Sequence, residues 1–276
     1  MSFSQPKDLP ALLAELAAAP SRPILLAGGT DWMVGNHAHP DKDAHVIDLS
    51  RVTVLKVIEP GPDGIRIGAG VTYRQIMEDD RFNPWPMLQE MSRLVGAWQI
   101  QVRGTLGGNV ANGSPAADSL PVLLAYGAEV ELTSVRGTRQ VPLGEFYPGY
   151  RQTVMAADEL ITAIWVPRTA PGAVQQYRKV GTRRAQAISK VAFAGYRDGA
   201  TVRLGMASVG PIVMALPGTC AALLSGADPM AALRADITPI DDVRSTGVYR
   251  FFVAENLVRA FAEAMATPSR SQELGT

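Results

Sequence analysis

Apolar and polar residues alternate along the chain with helical spacing in some stretches and with strand spacing in others. Helical spacing predicts α-helices at residues 7–19, 72–79, 86–96, 118–126 and 246–265. Short apolar or alternating runs predict strands at residues 23–27, 46–49, 65–70, 128–133, 139–142, 160–166, 176–180, 191–196 and 202–209. The pair Asp198-Gly199 predicts a hairpin turn between the last two strands. The chain is therefore expected to mix helices and strands.

The order of these elements divides the chain into parts. The first 55 or so residues predict a small α/β unit, strands dominate from Val174, and helices close the chain. We predict one domain over residues 1–170, with subdomains of about 1–55 and 56–170, and a second over residues 171–276. The polar segment 268–276 is expected to be disordered.

Composition and charge exclude several classes of protein. Apolar residues make up 47% of the chain and charged residues 19%, which is typical of a soluble globular protein. No stretch reaches the ~18–20 consecutive apolar residues of a membrane span, and the N-terminus lacks the pattern of a secretory signal. The net charge of zero argues against non-specific binding to nucleic acid.

The cysteine count limits both disulfides and metal clusters. Cys220 is the only cysteine, so no disulfide forms within the chain, and a cytoplasmic location is expected. An iron–sulfur cluster needs about four cysteine ligands, so this chain alone cannot hold one.

Two glycine-rich segments have the composition of phosphate-binding loops. They are Ala27-Gly28-Gly29-Thr30-Asp31 and Gly104-Thr105-Leu106-Gly107-Gly108-Asn109. Glycines let a ligand approach the backbone and present successive N–H groups, which bind phosphate oxygens. Neither segment matches the Rossmann or P-loop fingerprint, and a tight turn explains each segment taken singly.

The same segments belong to a longer series of motifs. The series comprises Ala27-Gly28-Gly29-Thr30-Asp31, residues 105–109 continuing to 114–121, residues 177–184 continuing to 188–190, and Asp242-Val243-Arg244 with Tyr249-Arg250. From about residue 6 to residue 264, the chain resembles the FAD-binding subunits of molybdenum hydroxylases. That family includes the medium subunits of carbon monoxide dehydrogenase and the flavin domain of xanthine dehydrogenase.

The resemblance implies a fold, a cofactor and partners. The fold would be α+β: a two-subdomain FAD-binding α/β domain similar to that of vanillyl-alcohol oxidase, then a C-terminal α+β domain with a small antiparallel sheet and helices. FAD would be the cofactor of this chain. A molybdenum-cofactor subunit and a [2Fe–2S] subunit would be its partners, and a small molecule would be its electron acceptor.

The resemblance also implies which residues bind the cofactor. These are Ala27, Gly28, Gly29, Thr30, Asp31, Trp32, Thr105, Gly108, Asn109, Ala111, Asp118, Ile161 and Lys179. Residues 27–32 would wrap the diphosphate and residues 105–111 would line its other side. Asp118 would make a polar contact to FAD, Ile161 would lie beside the flavin region, and Lys179 would lie near the ring system. No residue of this chain is assigned a catalytic role.

Several features and functions remain as alternatives. His37, His39 and His45 cluster with aspartates as metal ligands do, but a solvated loop is the simpler interpretation. Tyr147 and Tyr150 either face the flavin or, as we favour, pack in the protein. The competing functions are a free-standing FAD oxidase and a scaffold subunit that has lost FAD. The substrate and the acceptor stay open.

Overall fold

A computed structural model describes residues 1–266; the predicted tail at 268–276 lies outside them. The strands are β1 (Ser2–Ser4), β2 (Ile24–Leu26), β3 (His45–Asp48), β4 (Ile58–Pro60), β5 (Gly64–Gly68), β6 (Glu129–Ser134), β7 (Gly137–Pro142), β8 (Leu160–Pro167), β9 (Val174–Val180), β10 (Val191–Asp198), β11 (Thr201–Ala207) and β12 (Met214–Ala215). The α-helices are α1 (Leu9–Ala18), α2 (Trp32–Ala38), α3 (Tyr73–Glu78), α4 (Pro86–Leu94), α5 (Trp98–Gln101), α6 (Leu106–Asn112), α7 (Ser119–Tyr126), α8 (Pro217–Ser225), α9 (Met230–Asp236) and α10 (Gly247–Ala266).

Strands β1, β2 and β3 pack with helix α1 in a small α/β unit at the start of the chain. Three parallel strands lie in the order β1-β3-β2. Helix α1 begins where the Asp8 carboxylate accepts a hydrogen bond from the Ala11 backbone N–H at 2.9 Å. Its apolar face buries Leu12 and Leu16 against Ile47 of β3. Ile47 lies opposite Leu25 of β2, the strand that leads into the first glycine segment.

The second subdomain is built on a five-stranded antiparallel sheet in the order β4-β5-β8-β6-β7. Helix α7 is buried along its whole length, so its apolar side chains pack on several sides at once. The helix begins directly after Asp118, so that carboxylate lies deep in the protein, where an unpaired charge is costly.

The C-terminal domain carries a four-stranded antiparallel sheet in the order β12-β11-β10-β9. Strands β10 and β11 form the predicted hairpin, with Asp198 opposite Thr201 and Gly199 at a φ of +34°. Helix α10 packs on this sheet through Phe261, whose ring meets that of Phe193 at 5.7 Å. Helix α7 packs on the same sheet so closely that a Cβ at Gly205 would overlap the carbonyl of Pro121, which ties the two parts of the molecule together.

The predicted α+β fold class is confirmed, but two helices form where the sequence indicates loops. Helix α2 runs through Trp32–Ala38, and helix α6 begins at Leu106 inside the second glycine segment. Glycine disfavours helix, yet α6 is fixed by its surroundings. The Thr105 hydroxyl accepts a hydrogen bond from the Gly108 N–H at 3.1 Å, and Gly107 lies against Ala69 too closely for any side chain. None of the helices within residues 1–266 combines the length and apolar character needed to cross a membrane.

Candidate functional site

The two glycine segments, about 75 residues apart in sequence, touch each other in the fold. A Cβ at Gly28 would overlap the backbone carbonyl of Arg103 and would lie 3.2 Å from the Cα of Gly104. Glycine is therefore required at position 28 by a close approach of backbone to backbone. This contact brings both segments to one side of a cleft.

The first segment presents a row of unused hydrogen-bond donors. Within residues 1–266, the backbone N–H groups of residues 28–31 donate to no protein acceptor. Gly29 has a φ of +73°, a left-handed conformation that a glycine adopts without strain. Successive free N–H groups around such a turn form a concave site for an anion.

The second segment uses most of its N–H groups inside the protein, unlike the first. The N–H of Gly107 donates to the carbonyl of Ala69 at 3.0 Å, and that of Gly108 donates to the Thr105 hydroxyl. The sequence-based expectation of a second cluster of free N–H groups is therefore wrong. Among the described residues the Thr105 backbone N–H still has no protein acceptor, and a further donor is the side-chain amide of Asn109, whose Oδ1 accepts a 2.5 Å hydrogen bond from Ser119 Oγ. This bond leaves the NH₂ group of Asn109 available for a ligand.

The cleft consists of two joined compartments. The subdomain compartment has a volume of about 710 Å³ and lies between the two N-terminal subdomains, whereas the interdomain compartment has about 860 Å³ and is closed on one side by the C-terminal domain. Seven of the described residues line both, and we call them the junction: Leu25, Ala27, Gly28, Thr105, Gly108, Ala111 and Arg151. The junction thus contains parts of both glycine segments.

Most of the residues implied by the resemblance converge on this cleft. Those lining the interdomain compartment are Ala27, Gly28, Gly29, Thr30, Asp31, Trp32, Thr105, Gly108, Asn109, Ala111 and Asp118. Ile161 lines the subdomain compartment. Lys179 is not among the described lining residues of either compartment, and its ammonium group instead pairs with Asp118.

The pair of Lys179 and Asp118 is buried and fully engaged. Lys179 Nζ lies 2.6 Å from Asp118 Oδ2 and donates to the carbonyl of Leu94 at 2.8 Å. The second carboxylate oxygen of Asp118 accepts a hydrogen bond from Ser189 Oγ at 2.5 Å. Burial raises the pKa of Asp118, and the charge and hydrogen bond of Lys179 offset part of that rise.

Charge is distributed unevenly between the compartments. Four cationic side chains and no carboxylate line the described wall of the subdomain compartment: Arg22, Lys56, Arg103 and Arg151. Apolar side chains such as Leu55, Leu160 and Ile161 cover other parts of the same wall. Such a mixture suits a ligand with an apolar ring and an anionic group.

The wall contributed by the C-terminal domain contains functional candidates that sequence reasoning left without a role. Arg250 is only 3% exposed, pairs with Asp242 at 2.6 Å, and donates to the carbonyls of Ser208 at 2.8 Å and Lys190 at 3.2 Å. Asp242, Arg250 and Ser208 all line the interdomain compartment. The motif of Asp242 and Arg250 was visible in the sequence, whereas its link to Ser208 requires the fold.

The remaining sequence candidates have the following places. Tyr147 is buried and donates to the carbonyl of Val110 at 2.6 Å, so it packs, whereas Tyr150 is 60% exposed and lines the interdomain compartment. His37 lies in α2, and His45 in β3 meets Glu15 at 3.3 Å. Within residues 1–266, no three histidine, cysteine or carboxylate side chains are grouped as metal ligands are.

The site fits a dinucleotide carrying a diphosphate. Each compartment lies within the volume range of ligand pockets, roughly 300–1,000 Å³, so a two-part ligand has room on both sides of the junction. The free N–H groups of residues 28–31 lie at and beside that junction, where the central diphosphate of such a ligand would fall. Fold and site together define a nucleotide-binding α+β protein.

Comparison with known proteins narrows this class. Residues 1–169 match the family described as the FAD binding domain in molybdopterin dehydrogenase. The chain is 34% identical to the xanthine dehydrogenase FAD-binding subunit of Escherichia coli O157:H7 over 175 residues, 62% of this chain and 60% of that protein. It is 26% identical to the carbon monoxide dehydrogenase medium chain of Hydrogenophaga pseudoflava over 93% of this chain and 94% of that protein.

Solved structures agree with the sequence matches. A chain of carbon monoxide dehydrogenase from Hydrogenophaga pseudoflava superposes with a TM-score of 0.89 at 26% identity, covering 96% of both chains. This protein therefore belongs to the FAD-binding domain family of molybdopterin dehydrogenases, a family of oxidoreductases whose cofactor is FAD. The matched region spans about 60% of the length of the Escherichia coli relative.

Proposed function

We propose that this chain is the FAD-binding electron-transfer subunit of a molybdenum hydroxylase resembling xanthine dehydrogenase. It receives electrons from [2Fe–2S] clusters on one partner subunit, the molybdenum cofactor is held by another, and it delivers electrons to a small external acceptor. The observation that carries the proposal is the row of free N–H groups at residues 28–31, lying at the junction of a two-compartment cleft in a chain of this family.

Each part of the cleft has a proposed task in holding FAD. Residues 27–32 bind the diphosphate through backbone N–H groups, and Thr105, Gly108, Asn109 and Ala111 line its other side. Ile161 provides an apolar contact. Asp118 and its partner Lys179 form an ion pair at the N-terminal end of α7. Bound FAD supplies the redox chemistry, because it accepts and releases electrons singly or in pairs.

Two features of the chain support partner subunits. Cys220 is its only cysteine, so [2Fe–2S] clusters need ligands from another polypeptide. The C-terminal domain also exposes apolar side chains close together in sequence, including Val243 at 99%, Val248 at 82% and Phe252 at 61%. A contiguous patch formed by such side chains would be typical of a protein interface.

The visible spectrum of the purified full chain, before and after incubation with FAD, is the first test. We expect the absorption bands of a bound flavin in stoichiometric amount. A chain that stays colourless with excess FAD would instead be a scaffold subunit. Turnover by the isolated chain with a reduced substrate would identify a free-standing oxidase.

Electron transfer itself requires the assembled complex. We expect the flavin of the complex to be reduced when the substrate of the molybdenum subunit is added, and the flavin of the isolated chain to stay oxidised under the same conditions. NAD, a quinone-side carrier and oxygen are then compared as oxidants of the reduced complex. Reduction of the isolated chain by that substrate would contradict the proposed route.

A further inference from the structure

We propose that Arg151 binds the diphosphate of the cofactor and supplies its main countercharge. This inference rests on the proposed function, because it assumes that a dinucleotide spans the two compartments. Residue 151 was not among the binding residues that the sequence resemblance implies.

The position of Arg151 in the cleft is the first argument. Arg151 is the only charged residue among the seven that line both compartments, where it accompanies Gly28, Thr105 and Gly108. A ligand that extends from one compartment to the other must pass these residues. The free N–H groups of residues 28–31 begin at the same place.

The second argument is that the guanidinium of Arg151 has no protein counterion. Within the described residues it forms no hydrogen bond or ion pair, and its one contact is the ring of Tyr150 at 5.9 Å from the centroid. Two other cations of the subdomain compartment each donate a hydrogen bond to a backbone carbonyl: Lys56 Nζ to Ser50 O at 2.6 Å and Arg22 Nη1 to Ala156 O at 3.3 Å. Arg103 also lacks a side-chain partner, but it lines only the subdomain compartment.

The backbone at Arg151 is the third argument. Its φ is +52°, a left-handed conformation that is unfavourable for a residue with a Cβ. A turn imposes it, in which the Gln152 N–H donates to the Gly149 carbonyl at 3.0 Å. Gln186 and Ser208, the other two non-glycine residues with positive φ within residues 1–266, also line the cleft. Such conformations concentrate at ligand-binding sites, where the orientation of a side chain outweighs the strain.

Charge complementarity explains what an arginine adds here. The N–H groups of residues 28–31 carry partial charges, whereas a diphosphate carries full negative charges. A guanidinium is always ionised and presents paired N–H donors that match two phosphate oxygens. Arg151 therefore neutralises negative charge on the diphosphate, whereas the backbone N–H groups mainly orient it.

The test measures ligand affinity in the full chain freed of flavin. Dissociation constants for FAD, ADP and riboflavin are compared between the wild type, Arg151→Gln and Arg151→Lys. Because a hydrogen bond to a charged group is lost, we expect Arg151→Gln to weaken FAD and ADP by about 10- to 100-fold. Riboflavin has no phosphate, so its affinity should not change. Arg151→Lys should recover part of the loss, and the salt dependence of FAD binding should be less steep in Arg151→Gln.

Two control variants separate the effect of the Arg151 charge from the effect of its backbone strain and from the effect of surface charge elsewhere. Arg168→Gln removes an exposed cation that donates to Pro62 O at 2.9 Å outside the cleft, and it should bind all three ligands as the wild type does. Arg151→Gly relieves the positive φ but removes the guanidinium, so it should bind FAD as weakly as Arg151→Gln.

The outcomes distinguish the two proposals. Unchanged FAD affinity and salt dependence in Arg151→Gln, or wild-type affinity in Arg151→Gly, would overturn the role of Arg151 while leaving FAD binding intact. An equal loss for FAD and riboflavin would make the residue structural. A wild-type chain that binds no FAD would instead contradict the proposed function. Thermal unfolding of each variant confirms that it folds.

Discussion

Lys179 Nζ and Asp118 Oδ2 lie 2.6 Å apart, although the two residues are 61 positions apart in sequence. Their side chains are only 6% and 11% exposed. The pair joins strand β9 of the C-terminal domain to the start of helix α7 in the N-terminal domain. Asp118 also lines the interdomain compartment, so the pair links domain packing to the candidate cofactor site.

Removing one member of this pair should destabilise the protein. Lys179→Ala leaves the Asp118 carboxylate buried without its counterion, and we expect the free energy of unfolding to fall by about 3–5 kcal/mol. Urea denaturation of the flavin-free chain measures the loss. The double variant Lys179→Met/Asp118→Leu should recover most of it, because no buried charge remains; a double variant no more stable than Lys179→Ala would contradict this account.

Substitutions of the two members of this pair should shift the reduction potential of the bound flavin in opposite directions. For a flavin ring held in the interdomain compartment, Lys179→Ala removes a positive charge that favours the reduced anionic flavin, so the two-electron reduction potential should fall by about 30 mV, equivalent to about 1.4 kcal/mol. Asp118→Asn should raise it. Redox titration of the flavin-loaded variants gives both values. Shifts in the same direction would indicate general loosening of the site rather than an electrostatic effect.

Alanine substitution at two glycines tests the contact between the glycine segments. In Gly28→Ala the new Cβ collides with the carbonyl of Arg103, so the segments must separate. We expect a loss of about 1–3 kcal/mol in unfolding free energy and a clear loss of FAD binding. Gly35→Ala in helix α2 meets nothing within 4 Å and should stabilise the chain by about 0.5–1 kcal/mol. Thermal unfolding and FAD content are compared, and normal FAD content in Gly28→Ala would refute the requirement for glycine.

Low pH should destabilise the five-stranded sheet, because it protonates Glu131. Arg66 Nη2 donates to this carboxylate at 2.6 Å, as does Thr162 Oγ1. The hydrogen bond from Arg66 holds the pKa of Glu131 below its usual value, despite partial burial. The stabilisation is therefore complete above the ordinary glutamate pKa of about 4.3 and is lost as the pH falls through the lower folded-state pKa.

The corresponding experiment compares the pH dependence of stability in two variants. Glu131→Gln should cost about 1 kcal/mol at pH 7 and should flatten the stability curve between roughly pH 5 and pH 3. The exposed Glu145→Gln serves as the control and should follow the wild-type curve. A Glu131→Gln curve as steep as that of the wild type would exclude this residue as the source.

The sequence predicts the fold class and most strands because buried apolar runs and the Asp198-Gly199 turn are local signals. Helix α6 is missed because its glycines disfavour helix, whereas the contacts that hold it, such as the close packing of Gly107 on the distant Ala69, form only in the fold. Within the site, all the residues that the resemblance implies except Lys179 line one cleft, and their contact with FAD stays a prediction. The pairing of Lys179 with Asp118 depends on contacts between domains, which no local pattern encodes.

The overlap that any side chain at Gly28 would create with the backbone of Arg103 has a consequence for protein engineering. The two segments form one packed unit, because a change in either alters the room available to the other. A designer who transplants residues 27–32 into a new scaffold must also carry residues 103–104. Grafted alone, the first loop would lack the neighbour against which it is shaped.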